Sequence, residues 1–450
     1  MSEAELRNIA AHAVEQALAM GATDAECTIS EGNEFSAGVR RGEVEKIKEA
    51  GSRGAGLRVL LGQRQGSAYT SDLTEEGIRH MVQGAMDIAR ITEADPFAGL
   101  PDPSELGQLT GDLKLYSDDV ACIGAEEKIE AARSAEKAAL SFDPRITNTE
   151  GASFDSYDGC RIFANSRGFL GSYRSSSCSL SAVPVAQSGD RMERDFWYTM
   201  GRGWAQLEPP AQVGRIAAER VLRRLGARKV STQQATIVFD PRVARSLIGH
   251  IFEAATGDAI FRKSSFLLDK LGEQIAGENI TVIDDGTTPG LFGTSPFDDE
   301  GVPSRRTVVV ERGVLKNYLL NTYTARKLGM KTTGNASRGL TGSPGTGHGN
   351  LYLEPGDLTP EEIFAKVGTG LYVTELIGFG VNTVTGDYSR GAAGMWIENG
   401  ELAFPVAEIT IAGNLNEMLR NVLYVGNDLE FRGTTTSPTL AIAGMTISGS

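Results

Sequence analysis

The spacing of apolar residues changes several times along the chain, and each change marks an element. Residues 3–20 place Leu6, Ile9, Ala10, Ala13, Val14 and Ala17 on one face at i, i+3, i+4 spacing, which predicts a helix closed by Gly21. From Ala25 the period shortens to two, predicting strands at 27–29, 35–39, 44–48, 55–61 and 65–69 with turns at Arg41-Gly42 and Gly62-Gln63. A second helix follows over 74–92, entered through Thr74 as N-cap. Residues 94–114 hold Pro96, Pro101 and Pro103 without periodicity and read as a linker. A helix over 125–141, Ser/Thr-rich strands over 146–185 and a helix opened by Pro209-Pro210 make a second unit. Beyond 236 the pattern gives one helix and then mostly strands. The fold class expected is α+β: an N-terminal α+β domain (1–93), a linker (94–114), a central α+β domain (115–228) and a larger β-dominated C-terminal domain (229–450). The tripeptide Ser-Arg-Gly at 52–54 recurs at 166–168, a thin hint of internal duplication.

The stretch 370–415 is Gly-rich, yet apolar and β-branched residues run between its glycines. Strands are predicted at 371–376, 393–398, 402–404 and 406–411, with Asn399-Gly400 as a type I′ turn where both residues take positive φ. A polar loop at 385–391 carries Asp387, Tyr388 and Arg390. Polar loops on rigid sheets are placed for binding. These three side chains either anchor a peptide's carboxylate or backbone, or pair with one another and fix the loop.

Charge narrows the function. With 44 basic and 58 acidic residues the net charge is −14, and no basic run exceeds a pair, which opposes nucleic-acid binding. The N-terminus has no basic n-region or apolar h-region, and no stretch approaches the roughly 20 apolar residues of a membrane span. The four cysteines, Cys27, Cys122, Cys160 and Cys178, form no C-x-x-C pair and read as free thiols of a cytoplasmic protein.

One resemblance is specific. GVNTVTGDYSRGAAGMWIENGE at 380–401, followed by PVAEITIAGNL at 405–415, resembles the C-terminal signature of the TldD/PmbA family, and in particular its PmbA (TldE) branch. That family is also called modulator of DNA gyrase and is grouped with metallopeptidases. RITNTEG at 145–151, MERD at 192–195, RKSSFLLD at 262–269, PFD at 296–298, EGV at 300–302 and YTARKLG at 323–329 resemble it in the same order. The resemblance implies a subunit of a cytosolic TldD–TldE metal-dependent protease that degrades or trims unfolded or leader-type peptides. In that reading this chain shapes the chamber and holds extended peptide, a TldD-like paralogue carries zinc, and the chain alone forms a homodimer. An autonomous metallopeptidase, or a non-enzymatic modulator binding gyrase or another protein, are the alternatives.

The TldD branch implies a helix with H-E-x-x-x-H and a late Cys as zinc ligands. The corresponding helix here spans 240–258. Aligned on Gly257-Asp258, it puts Ile248 and Glu253 at the two His positions and Gly249 at the Glu. His250 is its one histidine, read as paired with Glu253, and no Cys follows Cys178. His12, His80 and His348 are scattered, with His348 in a Gly-rich segment (343–351) read as flexible. The expectation is no catalytic residue, metal or cofactor in this chain, with zinc in the partner. Asp284-Asp285 and Asp298-Asp299-Glu300 read either as a hard-cation site or as solvated loop acids.

Overall fold

The computed structural model describes residues 1–449. Its N-terminal half is one continuous antiparallel sheet. Helix α1 (Glu3–Ala19) is followed by β1 (Asp24–Arg40), β2 (Glu43–Leu61), β3 (Arg64–Thr70) and α2 (Glu75–Ile91). After residues 94–114 come α3 (Asp119–Cys122), α4 (Ala125–Leu140), β4 (Ile146–Asn165), β5 (Leu170–Ser188), β6 (Arg191–Arg194), β7 (Trp197–Gly201) and α5 (Pro210–Arg224). The sheet order is β3-β2-β1-β4-β5-β6, with β7 also on β5, so β1 and β4 join the two helix-plus-sheet units edge to edge. The short strands expected at 27–29 and 35–39 are one strand, because β4 pairs along nearly the whole length of β1. Arg41 and Gly42 take φ of 53° and 81°, as the tight hairpin between β1 and β2 requires. Each unit repeats helix, long hairpin, short strand, helix. The two Ser-Arg-Gly copies do not share a place in that repeat: 52–54 lies inside β2, whereas 166–168 makes the turn after β4.

Alternation decides which face is buried by what. Odd positions of β1 (Ala25, Cys27, Ile29, Phe35, Ala37, Val39) are buried under the helices, the first three with α1 and α2 and the last three with α4 and α5. Even positions Glu26 and Thr28 face the C-terminal half and are equally buried. There Glu26 meets Arg58 at 2.8 Å and Arg338 at 2.6 Å, and Arg338 also donates to Thr28 Oγ1 at 3.0 Å. Burial works to raise the Glu26 carboxyl, but the two guanidiniums outweigh it and hold it below the ordinary carboxylate value. Gly56 is required beside them: a Cβ there would lie 1.8 Å from Leu340 O.

The proline-rich segment 94–114 is a strap rather than a free tether. Leu100 is wholly buried, Gly107 N–H donates to Gly301 O at 3.0 Å, and Leu109 N–H donates to Pro296 O at 2.9 Å.

The C-terminal strands are β8 (Gln233–Phe239), β9 (Val282–Asp285), β10 (Arg306–Glu311), β11 (Val314–Leu315), β12 (Ala336–Ser337), β13 (Gly345–Thr346) and β14 (Asn350–Leu353). They continue as β15 (Gly370–Ile377), β16 (Asp387–Glu398), β17 (Glu401–Asn414), β18 (Val422–Val425), β19 (Thr435–Thr436) and β20 (Leu440–Ser448). Pairing in the order β17-β16-β15-β8-β20 closes into a barrel, because β17 also pairs with β20. A second sheet, β11-β10-β9-β14-β19, lies beside it. Asn399 and Gly400 take φ of 54° and 83° in the β16–β17 turn, as their sequence predicts. The expected loop at 385–391 is largely strand, since β16 starts at Asp387 and pairs with β17 from its first residue.

Helix α6 (Pro241–Ala255) connects the two sheets. Asp240 caps it by accepting from Arg242 N–H at 3.0 Å, and Val243, Leu247, Ile248 and Ile251 bury its apolar face in the large C-terminal core. Burial pushes the Asp240 carboxyl up to about 6, against the opposing pull of Arg220 and a 2.9 Å hydrogen bond from Tyr372.

Arg338→Ala should lower stability by about 3–5 kcal/mol in urea unfolding, since it leaves Glu26 facing one cation in a dry seam. Breaking the half-exposed Lys48–Glu34 pair with Lys48→Ala should cost no more than about 1 kcal/mol. Asp240 gives a pH signature. A carboxyl raised in the folded state contributes stability below its unfolded pKa and loses it as pH climbs through the folded value. Relative to Asp240→Asn, which keeps a good N-cap, the wild type should therefore lose roughly 2–3 kcal/mol between pH 4 and 6 in urea unfolding.

Candidate functional site

An open groove of about 590 Å³ runs along the outer face of α6. Arg245, Ser246, Gly249, His250 and Glu253 form one side, an arrangement set by the 3.6-residue period once Leu247, Ile248 and Ile251 are committed to the core. Residues 432–435 form the other side, with Tyr198 and Met200 of β7 closing one end. The groove thus lies on the seam between the N-terminal sheet and the C-terminal domain. Arg432 fixes that seam: its Nη1 donates to Tyr198 O at 2.7 Å, its Nη2 to Glu208 Oε1 at 2.7 Å, and its own carbonyl accepts from the Tyr198 hydroxyl at 3.1 Å.

The inner end of the groove deepens into a cavity of about 270 Å³. Trp197 forms its hub, with the guanidiniums of Arg432, Arg242 and Arg220 at 4.5, 5.5 and 5.7 Å from its ring. Asp240, Tyr372 and Thr436 complete the wall. Burial, followed by the neighbouring Asp240, raises the Tyr372 phenol well above its ordinary value and keeps it a proton donor to that carboxylate.

The groove brings together most of the positions aligned with the metal helix, and they do not make a ligand set. Ile248 is buried in the core, and Gly249 offers no side chain and opens onto empty space. His250 Nδ1 faces Glu253 Oε2 at 3.4 Å, and that hydrogen bond holds the Glu253 carboxyl below its ordinary value. The other ring nitrogen, Nε2, is buried without a partner. Across the groove stand Thr434 and Thr435 rather than a thiol. Among the described residues no three His, Cys, Asp or Glu side chains converge on a metal-sized site. Zinc needs three or four such ligands, so the residues present do not fit one.

Asp387, Tyr388 and Arg390 do not act as one constellation. Alternation along β16 buries Tyr388, whose ring lies 6.4 Å from that of His250 and whose hydroxyl has no partner. Burial pushes its phenol well above the ordinary range. Asp387 is exposed and accepts from Thr385 Oγ1 at 2.6 Å and Asn414 Nδ2 at 3.1 Å, while Arg390 Nε donates to Ile377 O at 3.4 Å. No ion pair joins them among the described residues.

Two sequence readings are corrected here. The acids at 284–285 and 298–300 are not solvated: Asp284, Asp285, Asp298 and Glu300 are buried, and their oxygens accept from backbone N–H groups or short polar side chains. Asp298 alone accepts from the N–H groups of Glu300, Val302 and Ala336. Burial still raises it well above the ordinary value, with Glu300 adding to the effect. His348 is likewise clamped rather than loose. It stacks edge-on against Phe252 at 4.6 Å, donates from Nδ1 to Gly349 O at 2.9 Å and accepts at Nε2 from Thr435 at 3.2 Å.

Sequence reasoning missed Trp197, Tyr198 and Arg245. Nothing in their spacing marks them, because they meet only when β7 and α6 dock.

Comparison with known proteins agrees along the chain. Residues 25–89, 118–225 and 232–449 match, in order, PmbA/TldA metallopeptidase domain 1, the central domain and the C-terminal domain. The chain is 44% identical over 446 residues to the metalloprotease PmbA of Escherichia coli O157:H7, covering 97% of each. It is 40% identical to a metalloprotease PmbA homologue of Haemophilus influenzae, covering 99% of this chain and 97% of that one. A Bacteroides thetaiotaomicron crystal structure, described as that of a candidate DNA gyrase modulator, superposes with a TM-score of 0.92 at 31% identity over 99% of both chains. TldE from Thermococcus kodakarensis shares the fold, with a TM-score of 0.86 at 22% identity over 99% of this chain and 100% of that one. The match of all three domains in order, together with near full-length identity of 40% or more, means that this chain belongs to the PmbA/TldD metallopeptidase family.

Proposed function

We propose that this chain is the substrate-holding subunit of a cytoplasmic two-subunit peptidase whose zinc and general base come from a TldD-like partner. The observation that carries this reading is the groove along α6. It keeps an open, walled channel on the seam of two domains while its metal-helix positions are Ile248, Gly249, His250 and Glu253. A channel with shape but no ligand set suits binding rather than bond cleavage. Extended peptide fits such a place, because main-chain hydrogen bonds hold a strand with little dependence on its side chains.

The tip of the β15–β16 hairpin supports a subunit contact. Phe379 is 98% exposed, with Ile377 and Val384 more than half and half exposed beside it. Apolar side chains grouped on a protruding turn mark a surface that another protein covers. The same hairpin carries Arg390 beside this tip, where its Nε donates to Ile377 O at 3.4 Å.

After dialysis the purified chain should hold well under one zinc per molecule by elemental analysis, and His250→Ala should not change that value. One tightly held zinc per chain would overturn the reading. Mixed with a TldD-like subunit, the chain should give a heterodimer on size exclusion and a peptidase activity, read with a fluorogenic unfolded peptide, that neither component has alone. Phe379→Asp should weaken that association at least about tenfold, because it places a charge in an apolar contact. Its circular dichroism should match that of the wild type.

A further inference from the structure

The cavity at the inner end of the groove holds one cation that makes no ion pair among the described residues. Arg220 faces Asp195 at 3.3 Å, Arg242 faces Asp240 at 3.1 Å, and Arg432 faces Glu208 and Glu430 at 2.7 Å each. The remaining acid of the lining, Asp428, has both oxygens engaged by the backbone N–H and hydroxyl of Thr439, at 2.8 and 2.7 Å. Among the described residues Arg245 has neither an ion-pair nor a hydrogen-bond partner. It is exposed on α6 and reaches toward the facing segment, its Nη1 3.9 Å from where a Cβ on Gly433 would lie. Packing does not hold it there, and no ion pair within the chain answers it among the described residues, the oxygens of Asp428 being turned to Thr439.

Arg245 is the guanidinium a guest reaches, because the unpartnered Thr436 hydroxyl and the Nε groups of Arg220 and Arg432 are sealed from solvent. Guanidinium N–H groups only donate, and their fork matches the two oxygens of a carboxylate. Size restricts the guest further. About 270 Å³ falls below the ~300–1,000 Å³ of pockets that enclose a whole small ligand. The cavity also shares Tyr198, Arg245, Arg432 and Thr435 with the longer groove, so what enters it can continue along α6. An anionic end on an extended chain meets both conditions.

We infer that this cavity is a subsite for a carboxylate of an extended peptide, with Arg245 as the residue that grips it. The inference rests on the substrate-holding reading and refines it, since it states which part of the peptide is recognised. The carboxylate can be the peptide's C-terminus or an acidic side chain at its last position, and three probes separate these.

N-terminally fluorescein-labelled unstructured peptides of one sequence would end in Ala free acid, Ala amide or Asp amide. Binding is read by fluorescence anisotropy with the full chain, alone and with the TldD-like subunit. The free acid should bind at least about tenfold more tightly than the Ala amide, the value of one charge-assisted contact. Arg245→Gln should bring it down to the amide level, and Arg245→Lys should restore part of the difference. Preference for the Asp amide over the free acid would assign the subsite to a side chain. Equal binding of all three, or a preference that survives Arg245→Gln, would overturn the inference while leaving the substrate-holding reading intact. No binding of any peptide, with or without the partner, would overturn both. Arg245 is exposed, so these variants fold.

Discussion

Everything about this chain's architecture turns on one buried electrostatic joint. Glu26 and Arg58, from the N-terminal sheet, receive Arg338 from the C-terminal domain, with all three almost wholly removed from water. Such a joint adds little net stability over well-packed apolar residues, because desolvation offsets the attraction. What it supplies is position. A guanidinium whose two Nη groups donate to a carboxylate and a hydroxyl docks in a single register, whereas an apolar seam can slide. The second contact line reinforces it. Arg161 meets Asp299 at 2.7 Å, and the Arg338 N–H donates to the other Asp299 oxygen at 2.7 Å. Phe297 wedges between Phe163, Phe169 and Tyr173.

The groove inherits its shape from that docking. Its walls come from β7 on one side of the seam and from α6 and residues 432–435 on the other. Arg432 ties them by donating across the seam to Tyr198 and Glu208. A shift in how the halves meet would open or close the channel directly, so the buried acids at 298–300 shape the site without lining the groove. Their hydrogen bonds from backbone N–H groups show why they are acids: they organise the turn that presents Phe297 and Asp299 to the N-terminal sheet.

Elements with a strong local period were legible in the sequence. α1, α2 and α4 stand within a residue of their expected bounds and α6 begins within one but ends three residues short of 258, because caps such as Thr74 and Asp240 and the i, i+4 apolar pattern act locally. The Asn399-Gly400 turn was equally clear, since positive φ at two successive residues restricts their identity. The family signature at 380–401 was legible too. Residue identity alone also says that no thiol follows Cys178 and that α6 has one histidine.

Tertiary structure decided what depends on partners distant in sequence. A period of two says which residues share a face but not what covers it, so Glu26 on an even position of β1 gave no sign of meeting Arg338, 312 residues away. Acidic clusters look alike whether solvated or buried. Only the arrival of backbone N–H groups from other segments distinguishes Asp298 from a loop acid. The barrel closure through β17 and β20, the strap at 94–114 and the guanidinium-lined cavity around Trp197 belong to the same class. Side-chain identity sets what each residue can bond to, and the docking of the two halves sets which bond it makes.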